Sequence, residues 1–459
     1  MTLLTRVIFA VLLVACSISL LQAEQRKALV GGRLIDGFGH SPLANSVILV
    51  AGDTIEAVGT VDTLPIPDGY RIISTEGMDV LPGLWESHAH LMITGHADYP
   101  YWMANYADRL VDEIMPAGAL QLLLAGVTSA RDLGAPLDAS IRIRTQIADG
   151  EIPGPRLFVS GPFLQAQVPD WESDYRWDVG SPAEARRQVN RLADAGVDLI
   201  KLVDQDQMSL ETARTIVEAA HARGLKVVAH AHRPEEIRVG LKIGVDNFEH
   251  TGLTTAPEYP EDVMRALTER TATGRVAGGP LFWTPTVEGL HNFARLVGNP
   301  EKLDDPCWHR GLAEDTIADI QASIRNPGQL AYNQLTPLRA PTLKRKIEQL
   351  HQAGVVFLVG TDSGIPMKFH CQSTWNELDV LVRVMGLEPM NVIRSATYWP
   401  AVMMGVDDQL GTISPGKKAD IIAVRGDVLI HINLLSHVEL VMKGGLIYKQ
   451  SGQPVESRL

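Results

Sequence analysis

Leu225-Lys-Val-Val-Ala-His230 is a short apolar run that ends on an imidazole, and its construction recurs along the chain. Apolar and β-branched residues suit a strand covered on both faces, and the polar residue falls where the run stops. Asp198-Leu-Ile-Lys-Leu-Val203 precedes it and Asp246-Asn-Phe-Glu-His250 follows, with helical stretches between. The series extends back through Arg156-Leu-Phe-Val-Ser160 and Gly126-Val-Thr-Ser-Ala-Arg131 to the run Asp79 to Leu84. It extends forward through Trp283-Thr-Pro-Thr286 to Val355-Val-Phe-Leu-Val-Gly360, which makes eight strands in all. Strands alternating with helices from about Pro82 to about Met404 predict an α/β fold of the (β/α)8 TIM-like barrel type. No GxGxxG or GxxxxGK[ST] loop opens a helix after the first strand, so a doubly wound nucleotide-binding sheet lacks its usual support. A barrel also makes a demand on chemistry: reactive side chains belong at the C-terminal ends of the strands, where the βα loops meet.

Both chain ends have another texture. Ala28 to Val30, Arg33 to Ile35, Ser46 to Val50 and Thr54 to Val58 are strand-like runs punctuated by Gly31-Gly32, Asp36-Gly37 and Gly52-Asp53. Asp420 to Val424, Val438 to Met442 and Leu446 to Lys449 repeat the pattern around Gly411, Gly416 and Gly444-Gly445, so both termini read as β-structure. Ahead of them, Met1 to Arg6 carries one Arg, and the apolar run after it is too short for a lone membrane span. Residues 1–23 therefore read as an export signal. Ala23 offers a small residue for cleavage before Glu24, whereas Leu13-Val14-Ala15-Cys16 resembles a bacterial lipobox in which Cys16 takes a lipid. The first reading leaves the protein free in the periplasm, the second anchors it to the bacterial envelope by lipid. Export would put Cys307 and Cys371 in an oxidising compartment where they could pair, though nothing in the sequence places them together.

With 459 residues, 45% hydrophobic and 21% charged, the chain is long and apolar enough for a large buried interior. A formal net charge of −13 argues against a nucleic-acid partner. Three cysteines cannot build a disulfide framework or a thiolate zinc cluster, while 14 histidines leave imidazole available. Any metal here is held by nitrogen and oxygen.

The strand ends supply those donors. His88 and His90, two residues apart on extended chain, point to the same face and can grip one ion together. Lys201 places an ammonium inside an apolar strand, which costs several kcal/mol unless the charge is neutralised or paired, for instance with Asp204. His230, His250 and Asp362 each close an apolar run directly. One such residue is an ordinary core polar group; all of them at strand ends of one barrel is a pattern.

Together these residues resemble the amidohydrolase superfamily in its binuclear, metal-dependent form, nearest its imidazolonepropionase-like and Xaa-dipeptidase-like members. The resemblance rests on LPGLWESHAHL, GVTSARDLG, GPRLFVSG, GVDLIKLV, KVVAHAHRPE, NFEHTG, GTDSG, SATYWPAVMMGV and GTISPGKKADIIAV, and covers nearly the whole mature chain. It implies a distorted barrel over residues 83–404, and a small β-sandwich built from both chain ends, 24–82 and 405–459. It further implies two divalent metal ions: His88, His90 and Asp362 for one, His230 and His250 for the other, with Lys201 carboxylated on its Nζ as the bridge. Carboxylation would turn an expensive buried ammonium into an anionic ligand. Two cations would lower the pKa of a bridging water, and Asp362 would take its proton and pass it to the leaving amine. Nitrogen and oxygen donors suit Zn²⁺ best and Mn²⁺ or Co²⁺ acceptably.

The implied activity is hydrolysis of a C–N amide bond in a small molecule, a dipeptide or N-acyl amino acid, by attack of the bridging hydroxide. A mononuclear-type deaminase or a cyclic-amide or lactone hydrolase is the alternative within the superfamily, and Lys201 argues against it. A non-catalytic binding protein on the same barrel is the alternative outside it, and the full ligand set argues against that. His232, two residues beyond His230, stands where similar enzymes present a residue to the substrate; a solvent-facing His at a loop start is the other reading. His96, His370 and the aromatic segment Trp171 to Trp177 are weaker candidates, the last either lining an apolar pocket or forming a packed surface loop. Glu86 departs from the family, whose members usually carry Asp there. Asp204 and Asp206 would put negative charge near the site mouth and favour a cationic substrate group. The sequence is compatible with a homo-oligomer and does not read out oligomeric state.

Overall fold

The computed structural model describes residues 26–459 apart from 169–171, 173, 253, 278 and 326–329. The expected export segment with Cys16, and Trp171, lie outside these residues. Among the described residues no helix is long and apolar enough to cross a membrane.

Eight parallel strands form the barrel: β6 (Leu84–Ala89), β7 (Val127–Asp132), β8 (Arg156–Val159), β11 (Leu199–Leu202), β12 (Lys226–His230), β13 (Asn247–Glu249), β14 (Phe282–Thr284) and β15 (Val356–Phe357). Ser87 N–H donates to the Val359 carbonyl at 2.9 Å and Asp362 N–H to the His88 carbonyl at 2.7 Å, which joins the last strand to the first. Asp198 N–H bonds the Val159 carbonyl at 2.9 Å, closing the gap between β8 and β11. A short pair, β9 (Phe163–Gln165) and β10 (Arg176–Asp178), continues beyond β8 at the same rim and pairs with β11 through Leu164 and Leu202.

The alternation of each strand decides what lines the interior. Leu199 and Lys201, Val228 and His230, Phe282 and Thr284 are two residues apart and so share the inner face. Leu199, Val228, Phe282 and Leu358 pack with Met403 into one buried apolar cluster, a plug one layer below the polar residues. Ile200, Leu202, Val227 and Ala229 face outward into the larger core shared with the helices. Helix Pro182–Ala195 shows how the register is set: Ser181 Oγ accepts the Glu184 N–H at its start, and Gly196, at φ 83°, ends it. That left-handed turn, which a side chain would strain, sends the chain straight into the strand carrying Lys201.

The chain ends meet in one nine-stranded sheet, in which β16 (Ile421–Arg425) pairs β5 (Met78–Pro82) antiparallel, and β5 pairs β1 (Arg26–Leu34). The run Asp79 to Leu84 is therefore not the first barrel strand. Met78–Pro82 belongs to the terminal sheet, Gly83 turns the chain, and the barrel begins at Leu84. The apolar run is shared by two sheets, and periodicity alone cannot divide it. Leu29, Ile48, Val50 and Ile55 from one chain end share a core with Ile421, Leu440 and Met442 from the other. The two layers of the expected sandwich are thus continuous through β5 and β1.

Cys307 and Cys371 are disulfide-bonded, with 64 residues of separation, and tie the short helix Pro306–His309 to the segment after Asp362.

Candidate metal centre

Every proposed ligand stands at the same rim of the barrel. His88 and His90 follow from β6, Lys201 from β11, His230 from β12, His250 just after β13 and Asp362 five residues after β15. His90 Nε2 lies 2.9 Å from Asp362 Oδ1, and His88 Nε2 lies 3.5 Å from the same oxygen. His88, His90 and Asp362 offer ligand atoms within 4.8 Å of one another; so, separately, do His230, His232 and His250. The two groups adjoin, since the His88 and His250 rings are 4.7 Å apart and His250 Nδ1 is 4.0 Å from Asp362 Oδ2. Lys201 is completely buried, and its Nζ makes no hydrogen bond among the described residues.

Backbone strain gathers at this rim. Among the described residues, four of the seven non-glycine residues with positive φ are Asp204, His250, Thr286 and Asp362. Such conformations cost about 1–3 kcal/mol each and persist only where the surroundings enforce them. At His250 the reason is visible. On an unbroken strand it would face away from Glu249, and the left-handed backbone at φ 77° turns both side chains toward the site. Its N–H donates to the Thr284 carbonyl at 2.8 Å, its carbonyl accepts Trp283 Nε1 at 2.8 Å, and its Nδ1 meets Thr286 Oγ1 at 2.9 Å. Gly360 serves the seam between β15 and β6: a Cβ there would sit 2.8 Å from the His88 nitrogen.

The donor set fits divalent cations. His88 Nε2 and Lys201 Nζ are buried without hydrogen-bond partners among the described residues. Burial holds His88, His230 and His250 well below the ordinary histidine pKa of 6.5, so the imidazoles are in the neutral form that ligates metal. Burial also lowers Lys201 to about 8, against the attraction of Glu249 and Asp362. At Asp362 burial works the other way, but the His90 hydrogen bond and neighbouring positive potential, that of Lys368 included, outweigh it and hold the carboxyl ionised.

Residues 80–448 match the Amidohydrolase family. The chain belongs to it. An imidazolonepropionase of Deinococcus radiodurans is 24% identical over 84% of this chain and 86% of its own length. A Bifidobacterium longum structure provisionally described as a prolidase superposes with a TM-score of 0.71 at 28% identity, covering 94% of this chain and 96% of the other. The ochratoxinase of A. niger superposes at 0.69 with 22% identity, over 93% and 96% of the two chains, a likeness of fold. This amidohydrolase is a metal-dependent hydrolase of carbon–nitrogen bonds in small molecules, built on the α/β barrel of its family.

Behind the ligands lies a layer that the sequence reading missed. Glu249 is fully buried; its Oε2 meets His88 Nδ1 at 2.8 Å, and its Oε1 accepts Arg131 Nη2 at 2.9 Å and Asn247 Nδ2. A carboxylate can only accept, so His88 is protonated on Nδ1 and presents the lone pair of Nε2 to the site. The signal existed: Glu249 is a charge inside a barrel strand just as Lys201 is, and Arg131 ends the run Gly126–Arg131 in the same way. Glu86, the departure from the family, is a clamp across the seam. It accepts the N–H groups of His88 and Thr361 at 2.9 and 2.8 Å, and the hydroxyls of Thr361 and Thr374 at 3.0 and 2.8 Å. One side chain thus locates both His88 and the loop carrying Asp362.

His232 faces the site, its ring stacked 4.3 Å from that of His250. The solvent-facing alternative does not hold, because His232 lines the cavity and its Nδ1 is buried. Asp204 and Asp206 depart from expectation: Arg233 Nη2 bonds both, at 2.9 and 2.8 Å, so both carboxylates are engaged by a residue of the chain itself. His370 is held by Ser363 Oγ and the Ile93 carbonyl, and His96 stacks on Tyr101, so neither joins the centre. Of the aromatic segment, Tyr175 lines the site cavity while Trp177 is buried under Arg191. The cavity itself has a volume of about 130 Å³ beside His90, His230, His232, His250 and Asp362.

Proposed function

We propose that this amidohydrolase cleaves the amide bond of a dipeptide or N-acyl amino acid, with His88, His90 and Asp362 holding one divalent ion and His230 and His250 the other. The observation that carries this reading is the convergence of two donor groups on one rim that also holds the buried, unbonded Nζ of Lys201. With its pKa lowered to about 8, Lys201 is partly a free amine near neutral pH. That amine can add carbon dioxide, forming an N–C bond and releasing one proton, and the resulting carbamate would offer the ions an anionic oxygen ligand in place of a costly buried cation. When bound, the ions supply Lewis-acid polarisation of the scissile carbonyl and a water of lowered pKa, and Zn²⁺ suits the donors best.

The chain's own residues supply the rest. Asp362, held ionised, accepts a proton from the attacking water and returns it to the amine nitrogen as the C–N bond breaks. Glu249 keeps His88 in one tautomer, and Glu86 fixes the distance between His88 and Asp362. His232 meets the substrate's carbonyl or carboxylate. Export of the mature chain is part of the proposal, supported by the N-terminal segment and by the Cys307–Cys371 disulfide.

Metal analysis of wild type and Lys201→Ala, with turnover on a dipeptide and N-acyl amino acid panel, tests the reading. Two ions per chain in the wild type, falling to one or none with loss of turnover in the variant, is expected. One ion with full activity in Lys201→Ala overturns it in favour of a mononuclear enzyme.

A further inference from the structure

The site cavity has a charged residue that the mechanism does not use. Arg176, on the short strand β10, lines it together with Asp362. Three other cations beside the centre have carboxylate partners. Arg131 is bonded to Glu249, Arg233 to Asp204, Asp206 and Glu236, and Lys368 to Glu288. Arg176 is matched only in part. Its Nη1 donates to Gln165 Oε1 at 2.8 Å, and its Nε lies 3.2 Å from Glu172 Oε2 without the alignment of a hydrogen bond. The Tyr175 hydroxyl is a further hydrogen-bond partner of the guanidinium. Its positive potential nonetheless reaches His230.

The guanidinium is also held in place. It lies 4.9 Å from the Phe163 ring centre and 5.5 Å from that of Tyr175, and Arg176 and Phe163 are register partners across β9 and β10. Cation–π contact and the sheet bond remove much of the rotamer freedom that an arginine otherwise loses on binding. The wall on either side is apolar: Met92, Ile93, Tyr99, Met103, Phe163 and Ile365. A planar cation set in an apolar wall, within reach of a hydrolytic centre, recognises a carboxylate next to an apolar side chain.

We propose that Arg176 is the specificity-determining residue that binds the free carboxylate of the leaving amino acid, whose apolar side chain packs on the adjoining wall. The proposal rests on the function proposed above and narrows it: the preferred substrate carries a free carboxylate and an apolar side chain at the amine end. It reverses the preference for a cationic substrate that Asp204 and Asp206 suggest in the sequence.

The test compares N-acetyl-L-leucine with N-acetyl-L-leucinamide in wild type, Arg176→Met and Arg176→Lys, by steady-state hydrolysis and by calorimetric binding. Methionine keeps an apolar stem over Phe163, and neither substitution alters a proposed metal ligand. A charge-assisted contact predicts that wild type prefers the carboxylate by about 10- to 100-fold, chiefly in KM. Arg176→Met should lose that preference, its loss on the carboxylate far exceeding any on the carboxamide, and Arg176→Lys should restore part of it. Equal losses on both compounds, or an undiminished preference in Arg176→Met, overturns the assignment. If wild type hydrolyses neither compound yet binds the carboxylate form better, and Arg176→Met abolishes that difference, the amidase reading fails and the Arg176 site stands. If wild type neither cleaves nor discriminates between the two, both fail.

Discussion

Replacing Glu249 by Gln should damage stability and metal binding together, because one carboxylate serves two buried partners. Arg131 and Glu249 are both 0% exposed, and their contact of 2.9 Å is the only ion pair of Arg131 among the described residues. Removing one partner of a buried pair strands the other charge, at about 3–5 kcal/mol. The Gln amide cannot escape this. If its oxygen accepts from Arg131, its NH₂ faces His88 Nδ1 and forces the proton onto Nε2, the atom that should ligate metal. If its oxygen accepts from His88, the NH₂ faces the guanidinium, donor against donor. The first outcome costs metal affinity about 10- to 100-fold, as outer partners of ligating histidines do. Urea unfolding of the metal-stripped protein and competitive chelator titration measure the two effects separately. Adding Arg131→Met should return part of the lost stability, since an apolar replacement removes the stranded charge, but none of the metal affinity. Wild-type unfolding and wild-type metal affinity in Glu249→Gln would refute the reasoning.

His230→Ala is expected to lose one metal ion per chain, whereas His232→Ala should keep full metal content and raise KM; inductively coupled plasma analysis with steady-state kinetics separates them, and the reverse outcome would exchange the two roles. Reducing the Cys307–Cys371 disulfide, which closes a segment of 64 residues, should lower the urea midpoint by the equivalent of about 4 kcal/mol on the chain-entropy relation, an effect absent from Cys371→Ser. Burial pushes Glu86 to about 7, and burial with the neighbouring Glu288 pushes Glu377 to about 8, from an ordinary 4.5. Both hold protons that the unfolded chain gives up, so their contribution is complete below pH 4.5 and drains away as pH rises through 7 to 8. The urea midpoint of the metal-stripped wild type should therefore fall between about pH 5 and 8 more steeply than that of Glu377→Gln, and equal slopes would show that Glu377 is ionised throughout.

Much of the fold was legible because barrel strands announce themselves. An apolar run ending on a polar residue implies both a covered strand and a chemically used rim, and His230, His250 and Asp362 carry that signal in the order of the chain. The first strand was displaced because Asp79 to Leu84 is one apolar run that two different sheets divide at Gly83. At the site, His88 and His90 could be read from period-two alternation, and Lys201 from the cost of an ammonium among apolar neighbours. Glu249 passed unnoticed because alternation assigns it and His250 to opposite faces. Only the positive φ at His250 brings them to the same side.

The sequence by itself determined which side chains lie at strand ends and which donor chemistry they offer, since both follow from hydrophobic period and residue type, properties local to each run. Pairing was decided only in three dimensions. Whether Asp204 and Asp206 are free charges depends on Arg233, whether His88 is the correct tautomer depends on Glu249, and whether Arg176 faces substrate depends on a two-residue pairing across β9 and β10. Electrostatic matching falls off over a few ångströms of space and takes no account of distance along the chain. The polarity of the substrate therefore had to be read from the folded cavity.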